Sequence, residues 1–160
     1  MCLAEGVELP RAPGTYAIVF QAPRPCRIAV GALGSVTLER GYWVYVGSAL
    51  GAGGLRARVG RHLKGPGKPR WHVDYLHGQI GVVEVWLCLG RVRREHLWAR
   101  ALARQAAGWI PGFGCSDCRC PSHLFHFVRR PSATISNGEG LRAAAKKIVR
   151  LYCQMIPVSL

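Results

Sequence analysis

Acidic residues are scarce in this chain: eight Asp and Glu stand against 22 Lys and Arg among 160 residues, a formal net charge of +14. Such a balance suits a polyanionic partner better than a neutral one, and nucleic acid is the first candidate. The basic excess is clustered, once after a glycine-rich turn and again near the end of the chain. Long apolar runs are missing as well. None approaches the ~20 residues that a membrane helix needs. The amino-terminal segment, with Glu5 and Glu8, lacks the basic and apolar regions of a secretion signal. A cytoplasmic protein without membrane association is the expectation. No internal repeat is visible, and the length suits one domain with a true core. Seven cysteines are an odd count, and three crowd into "GCSDCRCPSH", which argues against a secreted disulfide framework and for reduced thiols.

What is present reads as an α/β (α+β) domain, a small mixed β-sheet flanked by helices. "GTYAIVF" (14–20), "RIAV" (27–30), "SVTL" (35–38) and "WVYVG" (43–47) are β-prone runs separated by Pro or Gly, and they suggest an antiparallel meander. After Gly51, Gly53 and Gly54 the period changes: Leu55, Val59 and Leu63 put one apolar stripe on a short helix. A second short helix fits "WHVDYLHG". "VVEVWLCL" (82–89) reads as a strand buried on both faces, and "RREHLWARALARQAAG" (93–108) as a helix stopped by Gly108 and Pro111. "LFHFV" (124–128) completes the sheet. The domain then occupies 1–128, "RRPSATISNGEG" (129–140) is a linker, and 141–160 forms a basic amphipathic helix. There Leu141, Ala145, Ile148 and Tyr152 share one face, opposite Arg142, Lys146, Lys147 and Arg150. That helix either packs back on the domain or lies along a phosphate backbone.

Arg58 and His62 lie four residues apart on the first helix and share a face. A guanidinium there can hold a phosphate bidentately, beside an imidazole able to exchange a proton near neutral pH. The glycine turn before them would let a phosphate approach the backbone. In the loop "KGPGKPR", Lys68 and Arg70, with Arg61 and Lys64 on the helix, could follow a nucleic-acid backbone, with a base stacked on Trp71 near His72. Equally, Trp71 packs in the core while His72 and Asp74 fix the turn. Glu95, taken alone, is a carboxylate well placed in the first turn of a helix.

"GTY" (14–16), "YVG" (45–47), Arg58, His62 and Glu95, in that order, resemble the GIY-YIG nuclease superfamily over most of residues 12–128. "YVGSA", "RHL", "WHVDYL" and "GFGCSDCRCPSHLF" look like its branch of uncharacterised domains sometimes fused to endonuclease III-type glycosylases. The resemblance implies a metal-dependent endonuclease acting on DNA, with a DNA-repair glycosylase as a further partner. By this likeness Tyr16 and Tyr45 help deprotonate water or orient the phosphate, and Arg58 stabilises charge developing on phosphorus. His62 sits near the nucleophile, and Glu95 ligates one Mg²⁺ or Mn²⁺. The superfamily's phosphate-contacting asparagine has no match, since the only asparagine is Asn137, in the linker. A non-catalytic nucleic-acid-binding module of the same fold is the alternative, and a protein-interaction domain the third reading.

Cys115, Cys118, Cys120 and His123 offer four soft ligands in a CxxCxCxxH arrangement. Ordinary tetrahedral zinc sites take ligands from two separated pairs, and Cys118 and Cys120 would have to converge across one residue. The spacing therefore disfavours zinc and points to thiols and a histidine that shape the loop.

Overall fold

A computed structural model describes residues 8–65, 67–133 and 148–152, the last stretch as backbone only. The strands are β1 (Gly14–Ala22), β2 (Cys26–Val30), β3 (Gly34–Leu38), β4 (Gly41–Ala49), β5 (Gly81–Leu89), β6 (Gly108–Trp109), β7 (Leu124–Phe127) and β8 (Ile148–Tyr152). The helices are α1 (Gly54–Lys64) and α2 (Glu95–Ala103), and a short 3-10 turn covers His72–Leu76. Six strands form one sheet in the order β6-β7-β4-β1-β5-β8, while β2 and β3 pair as a separate hairpin.

The α+β class expected from the sequence is the observed one, with two differences in the sheet. Every described strand pair is antiparallel, so the sheet is not mixed. The first four strands do not form a meander either. β1 lies between β4 and β5, and the β2-β3 hairpin leaves the sheet. The reason is visible in β1, where eight of nine residues are buried. A strand apolar on both faces is most stable in the middle of a sheet covered on both sides, and the more exposed β2 and β3 cannot flank it there.

Strand alternation sorts the core into two layers. Tyr16, Ile18, Phe20, Trp43, Tyr45, Val85 and Leu87 face Leu55, Val59 and Leu63 of α1, together with the hairpin and the 3-10 turn. Ala17, Val19, Val44, Val46, Trp86 and Phe125 face Trp98, Ala99 and Leu102 of α2. No described helix is long and apolar enough to cross a membrane.

The expected carboxy-terminal helix is corrected where it can be seen. Residues 148–152 are a strand, paired with β5 through Glu84↔Tyr152 to Cys88↔Ile148. Ile148, Val149, Leu151 and Tyr152 have β-branched or bulky side chains that suit an open sheet edge, and β5 presents such an edge. The remainder of that segment, 141–147 and 153–160, lies outside the described residues. At the start of the expected linker, Ala133 is buried against the α2 layer.

Candidate active site

Tyr16 on β1 is opposite Gly47 on β4. A Cβ on Gly47 would run into the Tyr16 phenol, so glycine at this position lets the ring lie across the neighbouring strand. Tyr45, diagonal to Tyr16 on the same face, brings its ring centroid to 6.3 Å from that of Tyr16. His62 projects from α1 between them, its centroid 5.8 Å from Tyr16 and 6.2 Å from Tyr45.

Polar contacts join these rings into a chain. The Tyr16 hydroxyl lies 2.9 Å from His62 Nε2, and His62 Nδ1 lies 3.3 Å from Asp74 Oδ1. A carboxylate has no proton to give, so Nδ1 carries the ring hydrogen and Nε2 accepts from the tyrosine. Asp74 is itself fixed. Its Oδ2 accepts from Arg61 Nη2 at 2.8 Å and from the backbone N–H groups of Arg70 and Trp71 at 2.8 and 3.0 Å.

The electrostatics follow from burial and these partners. Burial pushes the Tyr16 phenol well above its ordinary range, and it raises Tyr45 as well, helped by the negative charge of Glu95. Both phenols therefore stay protonated near neutral pH and act as hydrogen-bond donors rather than bases. Burial lowers His62 to about 4, with Arg58 and Arg61 pushing the same way and Asp74 opposing. His62 is thus a neutral acceptor. Burial works against an ionised Asp74, but the two backbone donors and Arg61 outweigh it and lower its pKa.

Arg58 leans over the Trp71 ring, its guanidinium carbon 4.4 Å from the centroid, and no carboxylate pairs with it among the described residues. Arg61 contacts the same ring at 4.8 Å and is committed to Asp74. Lys64, Lys68 and Arg70 are exposed. Trp71 is half-buried against the core and already contacts two cations. His72 accepts a hydrogen bond at Nδ1 from the Gly114 N–H, 2.9 Å away, and packs edge-on to Phe113. The glycine turn also differs from expectation. The N–H groups of Leu55 and Arg56 donate to the carbonyls of Ala12 and Pro10 at 2.9 Å each, so these α1 amides are spent on the preceding chain.

On this sequence, residues 15–142 match the family described as Domain of unknown function DUF123. The chain belongs to that family. No curated protein and no solved structure matches it.

In this DUF123 domain Glu95 opens α2, on the opposite layer from His62. Ser48 at the end of β4 donates to its Oε2 at 2.7 Å. His123 Nδ1 stands 3.1 Å from Oε1, yet its N–H is not aimed along that line, and Nδ1 is left buried without a formed hydrogen bond. Burial opposes ionisation of Glu95, but His123 and Ser48 prevail and lower its pKa. The carboxylate therefore carries its charge at neutral pH and retains a free lone pair on each oxygen, which fits one hard divalent cation whose other ligands are waters. Gly114 bridges the two groups: a Cβ there would stand 3.1 Å from His123 Cβ and 3.3 Å from a Tyr45 ring carbon.

Three contributors escaped the sequence reading as site residues. In the sequence Asp74 reads as a turn former, and the histidine it orients lies twelve positions earlier. Ser48 gave no signal. His96, next to Glu95, gathers with Cys118, Cys120 and His123, their ligand atoms all within 4.8 Å of one another. Cys115 is outside that set, its thiol donating to the Phe113 carbonyl at 3.4 Å.

Proposed function

We propose that this chain is a divalent-metal-dependent endonuclease that hydrolyses phosphodiester bonds in DNA, on the plan of the GIY-YIG superfamily that its motifs resemble. The observation that carries this reading is the gathering of Tyr16, Tyr45 and His62 on one face of the sheet, with the unpaired Arg58 guanidinium beside them. Arg58 is free to hold a phosphate by two parallel hydrogen bonds and to stabilise the charge that develops on it. Tyr45, whose hydroxyl has no hydrogen bond among the described residues, donates to a phosphate oxygen. Neutral His62, held in one tautomer by Asp74, accepts a hydrogen bond from the Tyr16 hydroxyl and sets that phenol's orientation. A Mg²⁺ or Mn²⁺ ion on Glu95 would supply Lewis acidity and a bound water of lowered pKa.

A binding module of the same fold is a second reading, favoured by one observation. Tyr16 is 1% and His62 6% exposed, so neither meets a substrate without some opening of the site.

The test uses labelled duplex, nicked, branched and single-stranded DNAs with Mg²⁺ or Mn²⁺, beside binding titrations at several salt concentrations. The parent is expected to cut, and Glu95→Gln to bind but lose cutting by about 10²–10³-fold, the order of a lost electrostatic stabiliser. Arg58→Ala should lose both. Cutting undiminished in Glu95→Gln would remove Glu95 as the metal ligand. Salt-dependent binding with no cutting selects the binding module, and no salt-dependent binding returns the chain to a protein-interaction role.

A further inference from the structure

We infer that His96, Cys118, Cys120 and His123 form a zinc site, distinct from the proposed hard-cation site, that pins the cysteine loop to the start of α2. Its soft thiolates and imidazoles suit zinc and not magnesium. The sequence spacing argued against zinc because it offered only ligands crowded into nine residues. The fold removes that objection by bringing His96 from α2 to a loop that lies beyond β6.

Distances support a tetrahedron. With Zn–S near 2.3 Å and Zn–N near 2.0 Å, its edges run roughly 3.3 to 3.8 Å. Cys118 Sγ already lies 3.5 Å from His123 Nε2, and all four ligand atoms lie within 4.8 Å of one another. A contraction of at most about 1.5 Å would bring the remaining edges to their tetrahedral lengths. Three of the residues are partly exposed and His123 is buried, so the metal has a route in.

The cluster also bears on a buried polar atom, His123 Nδ1, which makes no formed hydrogen bond. If His123 Nε2 binds zinc, Nδ1 must carry the proton, and the oxygen facing it is Glu95 Oε1 at 3.1 Å. A small rotation of the ring then completes a carboxylate–histidine–zinc arrangement. Zinc would thereby hold His123, and through it would orient Glu95 at the proposed active site.

Elemental analysis of the full chain, purified without chelator or added metal, should find about one zinc per chain. Co²⁺ exchanged for it should show thiolate-to-cobalt absorption of a tetrahedral site. In competition with a chromogenic chelator, Cys118→Ser, Cys120→Ser and His96→Ala should each weaken zinc by about 100-fold or more. Glu95→Gln, an outer partner, should weaken it about 10-fold, and Cys115→Ser should change it little. If a cysteine variant does not fold, the Co²⁺ spectrum of the parent and the half-exposed His96→Ala still decide. A folded parent that binds neither zinc nor Co²⁺ overturns the site. Zinc lost in Cys115→Ser but kept in His96→Ala overturns this ligand set. Because metal content is read without activity, this result stands apart from the cutting assay.

Discussion

The two polar clusters at this end of the sheet differ in how fully their atoms are paired. In the Tyr16–His62–Asp74 cluster both nitrogens of the histidine have partners, and both oxygens of the aspartate accept hydrogen bonds. At the His96–Cys118–Cys120–His123 cluster, the His123 Nδ1 makes no formed hydrogen bond to the Glu95 oxygen 3.1 Å away, and the four soft ligand atoms converge within 4.8 Å of one another. At His62 and Asp74 the first network is closed without a ligand and positions the groups around it, although Arg61 Nε at its edge is buried without a hydrogen-bond partner among the described residues. The second cluster is the one that the proposed zinc would close. The contrast predicts opposite responses: metal removal should disturb the second cluster and leave the first intact, whereas disabling a hydrogen-bond hub should do the reverse.

The largest expected effect that would break this comparison is Asp74→Ala. The Asp74 side chain is fully buried, and removing it strips partners from Arg61, His62 and two backbone N–H groups together. Breaking a buried pair by removing one member costs about 3–5 kcal/mol, because the remaining charge stays behind uncompensated. Urea unfolding of parent and variant, with zinc saturating in both, should show a loss of that order. A loss under about 1 kcal/mol would mean that water replaces the carboxylate and that the network is not closed.

Much of the fold was legible because strand and helix periods write burial directly into the chain. β1, β4, β5 and both helices fall where their apolar patterns place them, though α2 is shorter at both ends than the run that suggested it. Strand neighbours were not legible. Nothing in "RIAV" or "SVTL" says that the two strands pair only with each other; that follows from the demand of β1 for cover on both sides. The final segment shows the opposite failure. Its residues Ile148 and Tyr152 fit a helical stripe, but the β-branched and bulky residues of 148–152 also suit a strand, and they pair with β5. For the candidate site, motifs reach as far as Tyr16, Tyr45, Arg58, His62 and Glu95, of which the fold gathers Tyr16, Tyr45 and His62 on one face of the sheet. Asp74, Ser48 and His96 act through partners distant in sequence, so spacing alone could not assign them.

A smaller effect, read as a pH dependence, sharpens the contrast on the side of the paired cluster. His62 is lowered in the fold to about 4 from an ordinary 6.5. The unfolded chain therefore takes up this proton first as the pH falls. Stability present above pH 6.5 declines by about 1.4 kcal/mol per pH unit until the folded imidazole also protonates near pH 4. The groups facing His62 are Asp74 from the 3-10 turn, Arg58 and Arg61 from α1, Tyr16 from β1 and Tyr45 from β4. Asp74 is lowered from its ordinary 3.8 by its two backbone donors and Arg61, which moves it away from the window and below its acid end. In His62→Gln the parent's extra slope between pH 6.5 and 5 should vanish. Equal slopes in the two proteins would show that His62 is solvated and that the cluster is open.

The smallest effect tests whether the paired cluster depends on close packing as well as on hydrogen bonds. Gly47 lies directly across from Tyr16, and the added methyl of Gly47→Ala would overlap the phenol. The ring is 1% exposed and packed between α1 and the sheet, so it cannot swing aside without moving other core groups. Overpacking of this kind costs typically about 1–3 kcal/mol. Part of that strain should emerge as a displaced phenol and a broken bond to His62 Nε2, which would raise the imidazole pKa by exposing it to water. Gly47→Ala should therefore lose stability and also lose some of the steep decline between pH 6.5 and about 4, while its zinc content stays at the parent's value. If stability falls but the pH slope is unchanged, the methyl is absorbed by β4 and the Tyr16–His62 bond does not depend on the bare backbone at this position.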